Sequence, residues 1–284
     1  MKPPTHPARP AVDTHVAMTP QTPTIDESRA QASLFDAYHH FFEVVPADTP
    51  ELRRAAHRLR YQVYCVENHF LPIADNPGEW ERDAFDAHSA QAVLIHRQTG
   101  QIAGTVRLVL PPPNARLGCL PMHAACGQLM ERAGLPVAKT AELSRFAISK
   151  EFRRRTADGL YGQVHEPDGP FAHERRRIIP HMSLGLVSAV LRFGVQAGME
   201  YVSAIMEPTL LRLISRFALY FTPIGPLVEY HGPRQPCYAE GTSLMERVER
   251  ERPDVWDLIT DNGRWWKPAL QSSSRAINRA TEVA

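Results

Sequence analysis

Seven charged side chains in this sequence sit beside runs that are otherwise apolar. They are Arg60 in LRYQVYCVENHF, Glu81, Asp83 and Asp86 in EWERDAFD, Arg107 in GTVRLVL, and Glu142 and Arg145 in ELSR. Arg107 interrupts a run of Val106, Leu108 and Val109, and Arg145 lies between Leu143 and Phe146. A charge among such neighbours is costly unless it is paired, so the arginines are expected to meet the carboxylates. Three arginines against four carboxylates leave one negative charge in excess, which suits an acceptor that brings a positive charge, such as an ammonium group.

Alternation along a strand adds a constraint. In regular β-structure Glu142 and Ser144 share one face, while Leu143 and Arg145 share the other. For Glu142 and Arg145 to serve one site, the strand needs a bulge between or beside them. A bulge also exposes backbone N–H groups, which can hold a carbonyl oxygen as it becomes negative.

Several elements are expected to position these groups. Leu34, Tyr38, Phe41 and Phe42, within an apolar, aromatic stretch from Ser28 to Val45 that also holds Phe35, fit one helical face. Thr49-Pro50-Glu51 offers an N-cap, a first-turn proline and an early acid for a helix running to about Glu67. Residues 91–96 and 101–110 read as a hairpin turning at Arg97–Gly100, and Pro111-Pro112-Pro113 ends its second strand. A further strand fits Ala141–Ser149, followed by a polar, arginine-rich loop from Lys150 to His181. The segment 182–198 is apolar almost all round and reads as a buried central helix. A strand at 201–206, a helix opening at Pro208 and running through TLLRLISRFALYF, a strand near Cys237-Tyr238 and a charged helical tail over 243–262 complete the chain. The expected fold is α/β, with a central mixed, mostly antiparallel twisted sheet flanked by helices and a β-bulge near ELSR. Residues 1–27, with six prolines and no aromatic residue, are expected to be a disordered tail. A domain over 28–240 (core about 50–240, loop insertion about 150–181) and a helical C-terminal extension over 241–284 follow.

Composition narrows the classes. Of 284 residues 43% are hydrophobic, and 32 basic against 31 acidic side chains give a formal charge of +1, without the basic excess of a nucleic-acid binder. The four cysteines, Cys65, Cys119, Cys126 and Cys237, form no C-x-x-C pair and are expected to be reduced and buried. No apolar run reaches the roughly 20 residues of a membrane span, and no signal-peptide core opens the chain, so a cytoplasmic protein is expected. His165, His173 and His181 lack a zinc spacing, so no metal is expected. Ser144 sits in no G-x-S-x-G elbow, and Cys119 and Cys126 have no evident histidine partner.

In order and separation these motifs resemble the acyl-homoserine-lactone synthases, a branch of the GNAT-like acyltransferases: R-x-x-x-(F/Y) at Arg60 and Tyr64, E-x-D-x-x-D at Glu81, Asp83 and Asp86, a strand arginine at Arg107, and E-x-S-R at Glu142, Ser144 and Arg145. Ile224-Gly225-Pro226 resembles that group's late G-P segment, and the resemblance covers roughly residues 50–240. Those synthases carry Phe where this chain has Tyr64 and Trp where it has Phe70, aromatics that border their S-adenosylmethionine pocket. The long N-terminus, the insertion between about Arg153 and Pro180 and the C-terminal extension look more like the acyltransferases associated with exosortase/PEP-CTERM systems, and somewhat like long-chain N-acyl amino acid synthases.

The resemblance implies transfer of a long-chain fatty acyl group from a thioester to the amine of a small acceptor, with no bound cofactor. Glu142 is the first candidate general base and Glu81 the second, with Arg107 and Arg145 orienting the acidic cluster or the acceptor. Arg60, Tyr64, Phe70, Asp83, Asp86 and Ser144 are the implied acceptor-binding residues. Phe146, Ala147 and Ile148 would face the donor. The run Arg153-Arg154-Arg155 follows the catalytic strand, where this fold places its phosphate-binding turn, and Arg175-Arg176-Arg177 lies beyond it. The turn lacks a clear glycine-rich form, which favours an acyl carrier protein over coenzyme A, with the arginines meeting phosphopantetheine and the carrier's acidic surface. The acceptor would be S-adenosylmethionine, an amino acid or another amine; a non-catalytic carrier-binding regulator is the rival reading.

Overall fold

The computed structural model describes residues 33–153 and 181–266. The expected tail over 1–27, Arg154, Arg155, the run Arg175–Arg177, His165 and His173 lie outside them.

Helix α1 (Leu34–Phe41) starts at Ser33, whose hydroxyl accepts the Asp36 N–H, and buries Tyr38 and Phe41. The expected helical face does not continue through Phe42. Phe42–Pro46 is strand β1, antiparallel to β2 (Ser89–His96), with Val44 opposite Leu94. Tertiary pairing of the β-branched Val44-Val45 has overridden the aromatic spacing. Thr49 caps α2 (Pro50–Tyr61) by accepting the Leu52 N–H. The helix expected to reach Glu67 widens into a π-helical turn over Gln62–Glu67, a form often found beside functional sites.

Strand β3 (Ile102–Val109) returns from the expected hairpin and pairs antiparallel with β4 (Thr140–Ile148). Between them runs a helix the sequence reading lacks, α3 (Pro121–Ala133), with proline in its first turn and Gly134 at φ 64° closing it. A single turn, α4 (Lys150–Arg153), follows β4, and α5 (Met182–Gln196) is the expected buried helix. Strand β5 (Tyr201–Met206) pairs parallel with β4, and α6 (Pro208–Ser215) follows, ending six residues short of Phe221 because the chain turns back with Ala218 at φ 60°. Strands β6 (Thr222–Pro223), β7 (Val228–Glu229) and β8 (Pro233–Glu240) finish the sheet. Its order is β1-β2-β3-β4-β5-β8-β6, with β7 also on β8, and β4–β5 is the parallel pair in an otherwise antiparallel set.

The expected charged tail is two helices, α7 (Gly241–Glu251) and α8 (Pro253–Thr260), divided at Pro253. They are not peripheral: Val248, Val255, Trp256 and Ile259 join Leu94, Leu184 and Leu186 in the main core. That core lies between the sheet and α5, α1 and α8, while α2 and α3 cover the other face. Gly185 permits the closest approach in it. A Cβ there would lie 2.0 Å from Tyr38 Oη and 2.6 Å from Val44 Cγ2. Among the described residues no helix is long and apolar enough to cross a membrane.

Two irregularities of β4 prepare the site. Thr105 faces Ala147 and Arg107 faces Ser144, so Arg145 and Phe146 together oppose the single residue Val106. This is the expected bulge, and Arg145 adopts φ 50° within it. On its other edge β4 pairs with β5 only through Thr140↔Tyr201, Ala141↔Val202 and Glu142↔Ser203. Beyond Glu142 the two strands part, and β5 continues on β8 alone.

Candidate active site

The register puts Arg107, Glu142 and Ser144 on one sheet face, and the left-handed turn at Arg145 swings its side chain onto that face as well. There three arginines and three carboxylates close into a ring. Arg60 Nε donates to Glu81 Oε2 at 2.5 Å and Arg60 Nη1 to Asp86 Oδ1 at 2.6 Å. Arg107 Nη1 donates to Asp86 Oδ1 at 2.9 Å and to Asp83 Oδ1 at 2.6 Å. Arg145 Nη2 donates to Asp83 Oδ2 at 3.0 Å and to Glu81 Oε1 at 2.8 Å. Each arginine bridges two carboxylates, and each carboxylate bridges two arginines. Arg60 and Arg107 have no exposed side-chain surface.

The segment bringing the acids is shaped by those same acids. Asp83 Oδ1 accepts the Phe85 N–H and Asp86 Oδ2 the Asp83 N–H, a capping box that opens the short 3₁₀ turn Ala84–His88. Gln91 donates to Asp86 at 3.1 Å, and His57 approaches Asp86 at 4.0 Å, two neighbours that no motif announces. Burial alone would raise the Glu81 carboxyl, but the hydrogen bonds and charges of Arg145 and Arg60 outweigh it and bring the pKa down to about 2. Asp86 behaves alike: burial opposes ionisation, and Arg60 and Arg107 hold it well below the usual carboxylate range.

Glu142 stands apart from the ring. It is 3% exposed, forms no ion pair among the described residues, and its Oε2 accepts the Met122 N–H at 2.7 Å, a donor delivered by the start of α3. Burial pushes its pKa up to about 8, against the Met122 hydrogen bond and the charges of Arg107 and Arg145. The six charges of the ring pair off, so the expected surplus of one negative charge rests on Glu142, the carboxyl whose ionisation burial opposes.

Ser144 Oγ accepts from Arg107 Nε at 3.0 Å, which fixes that guanidinium instead of offering a nucleophile. Tyr64 donates its hydroxyl to the Phe146 carbonyl at 3.4 Å, lies under the Arg145 guanidinium at 5.5 Å, and stands 6.3 Å from the Phe70 ring. Phe70 in turn lies under the guanidinium of Arg234 at 5.1 Å. Of the three donor-facing residues, Phe146 lines an apolar cavity of about 100 Å³ with Leu108, Leu143, Val187, Leu191 and Leu210. Ala147 instead packs with Leu59 and Val63 on the opposite face. Ile148 packs into the main core.

The turn after β4 is already filled. Glu67 accepts the Lys150 N–H with both carboxylate oxygens, at 3.0 and 3.2 Å, and the Ser149 hydroxyl at 3.2 Å. Lys150 Nζ donates to the Glu67 carbonyl. Arg153 ends α4, and its side chain lies outside the described residues with Arg154 and Arg155. Cys65, Cys126 and Cys237 are buried and Cys119 half-buried, all four as free thiols. Among the described residues no group of three or more histidine, cysteine or acidic side chains is placed to hold a metal ion.

A mixed, mostly antiparallel sheet whose fourth strand bulges and then parts from the fifth, with a cavity behind it and a polar cluster before it, is an acyltransferase fold of the GNAT type. Residues 59–162 match the acetyltransferase (GNAT) domain family, a span that holds the whole ring, the bulge and Glu142. Among solved structures, TofI in a ternary complex with an inhibitor and MTA is similar over 77% of this chain and 97% of its own, with TM-score 0.50 and 18% identity. The AHL synthase LasI is similar over 69% of this chain and 88% of its own (TM-score 0.47, 18% identity). FeeM, an N-acyl amino acid synthase from uncultured soil microbes, is similar over 73% and 94% (TM-score 0.48, 17% identity). At these identities the likeness is one of fold. No curated protein matches the sequence.

Proposed function

We propose that this protein is an N-acyltransferase that moves a long-chain fatty acyl group from a carrier-protein thioester to the amine of a small acceptor. The observation that carries the reading is the double use of β4. One face of the strand holds Glu142 beside the ring, while Leu143 and Phe146 line the apolar cavity under α5. An acyl chain in that cavity leaves its thioester where β4 has lost its strand neighbour, beside the bulge. Backbone N–H groups at such an edge are suited to an oxyanion.

The chemistry must take two protons from an ammonium acceptor, the first before attack and the second as the amide forms. An α-ammonium group has a pKa of about 8, and only its neutral form attacks. Glu142, at about 8, is matched to remove that proton. The amine nitrogen then bonds to the acyl carbon as the carbon–sulfur bond breaks; the second proton passes from the nitrogen to the departing thiolate, and Glu142 releases the first to solvent. Arg107 and Arg145 are positioning residues, since their hydrogen bonds go to ring carboxylates and Ser144. Glu81, the second candidate base, is a poor proton acceptor at a pKa of about 2.

Glu67 supports a carrier protein over coenzyme A as donor, because a pyrophosphate approaching the turn after β4 would meet a carboxylate already on the Lys150 N–H. The arginine runs at 153–155 and 175–177 are assigned to the carrier's acidic surface, and charge reversal of Arg153–Arg155 raises its KM. The four free thiols fit the reducing cytoplasm in which carrier-protein thioesters are made. The long N-terminus, the insertion between about Arg153 and Pro180 and the C-terminal extension are the features that support placing the chain beside the exosortase/PEP-CTERM-associated acyltransferases.

The test is mass spectrometry of small products after incubation with acyl carrier proteins bearing C8 to C16 chains. S-adenosylmethionine goes into one reaction, and amino acids and polyamines into another. A new amide supports the proposal, and an acyl-homoserine lactone assigns S-adenosylmethionine as the acceptor. No product in either, with carrier binding retained, overturns it in favour of a non-catalytic regulator.

A further inference from the structure

Resting on the acyl-transfer reading, we infer that Arg234 anchors a carboxylate of the acceptor, so that the amine substrate is an α-amino acid or a derivative that keeps its carboxylate, and not a simple amine or polyamine. The ring supplies no free charge for this purpose, because its members are spent on one another. Arg234 is placed differently. Pro236 faces Ile205 across the β5–β8 ladder, and Ile205 shares a face with Ser203, the partner of Glu142. Alternation therefore puts Arg234, two residues before Pro236, on the same sheet face as Glu142.

Its contacts span the gap left where β4 and β5 part. Phe146 in the bulge holds the Tyr64 hydroxyl, Tyr64 neighbours Phe70, and Phe70 lies under Arg234, which pairs with Glu207 at the end of β5. A guanidinium thus lies on the sheet face that carries the base, with the Phe70 ring 5.1 Å from it.

The ion pair holding Arg234 is of a kind that a substrate can displace. Its Nη1 meets Glu207 Oε1 at 3.0 Å, and the Glu207 side chain is 44% exposed whereas Arg234 is 12% exposed. Glu207 has a second partner in the Thr209 hydroxyl, at 3.2 Å. Pairs with an exposed member are weak, so exchanging Glu207 for an incoming carboxylate costs little, and the planar fork of an arginine suits the exchange.

The experiment measures acylation rates with a C12 acyl carrier protein and matched acceptor pairs differing only in the carboxylate: tyrosine with tyramine, leucine with isoamylamine, phenylalanine with phenethylamine. The wild type is expected to acylate an amino acid and to disfavour its amine. R234Q raises KM for the amino acid by roughly ten- to hundredfold with kcat little changed, the loss expected of a charged hydrogen bond. It leaves the amine unaffected, and R234K recovers part of the loss. E207Q, which releases Arg234, lowers KM for the amino acid and guards against a folding defect in the Arg234 variants. Equal use of both members of each pair, or an R234Q discrimination ratio equal to that of the wild type, overturns the inference and leaves the acyltransferase reading standing. No acylation of any acceptor, S-adenosylmethionine included, overturns that reading and this inference with it.

Discussion

Replacing Glu142 by glutamine keeps its size and its acceptor for the Met122 N–H but removes the proton. In the folded protein the carboxyl has a pKa of about 8, against 4.5 when exposed. A raised folded-state value means that its contribution to stability is complete below pH 4.5 and lost as pH climbs through 8. At 1.36 kcal/mol per unit, the separation is worth about 5 kcal/mol in full, and about 4 kcal/mol of that is lost between pH 5 and pH 9. Urea denaturation of wild type and E142Q at unit pH steps reads the difference directly. E142Q is expected to gain on the wild type by about 4 kcal/mol across that range. Catalysis should run the other way: wild-type kcat/KM rises through pH 8 as the base ionises, and E142Q is inactive throughout. Parallel stability curves for the two proteins would show that Glu142 is not a buried protonated acid, and the assignment of the base would fall with it.

The remaining expectations concern the ring, the core and the donor turn. R107M leaves Asp83 and Asp86 short of a partner at a buried position and should cost about 3–5 kcal/mol, read from the urea midpoint. On the acid side the slope reverses, since the Glu81 pKa is depressed to about 2; the stability it contributes above pH 4.5, about 3 kcal/mol, is lost as pH falls toward 2, visible as an acid transition that E81Q lacks. G185A forces a methyl group against the Tyr38 hydroxyl and should destabilise by about 1–3 kcal/mol, with part recovered in the G185A/Y38F double variant. E67Q should loosen the grip on Lys150 and raise kcat/KM for acyl-coenzyme A several-fold relative to acyl carrier protein; an unchanged ratio in a competition assay removes Glu67 from donor selection.

The ring was legible because a charge within an apolar strand has few affordable surroundings, and the bulge because Glu142 and Arg145 differ by an odd number of residues. Glu142's isolation was not legible. Counting charges treats every carboxylate alike, whereas its separate state depends on Met122, 20 residues away on a helix that was itself missed. Helix α3 had its punctuation in Pro121 and Gly134, but Cys126 sits at φ −142° inside it, and that kink weakens the periodicity a reader follows. Strand β1 was hidden by aromatic spacing that suits a helix up to Phe41, and its pairing with β2 is a long-range choice. Arg234 carried no motif. What marks it is the company of Phe70 across 164 positions of chain, which only the fold supplies.

The closed ring also bears on how this protein can change over generations. With three members of each sign, losing any one leaves an odd charge that the neighbours cannot absorb, so single substitutions lead downhill at every position. A descendant reaches a different cluster only by exchanging an arginine and a carboxylate together, or by passing through a less stable ancestor that other changes have first reinforced. The six positions should therefore drift as a unit, retained or lost in oppositely charged pairs, whereas Arg234, outside the ring, is not tied to that pairing.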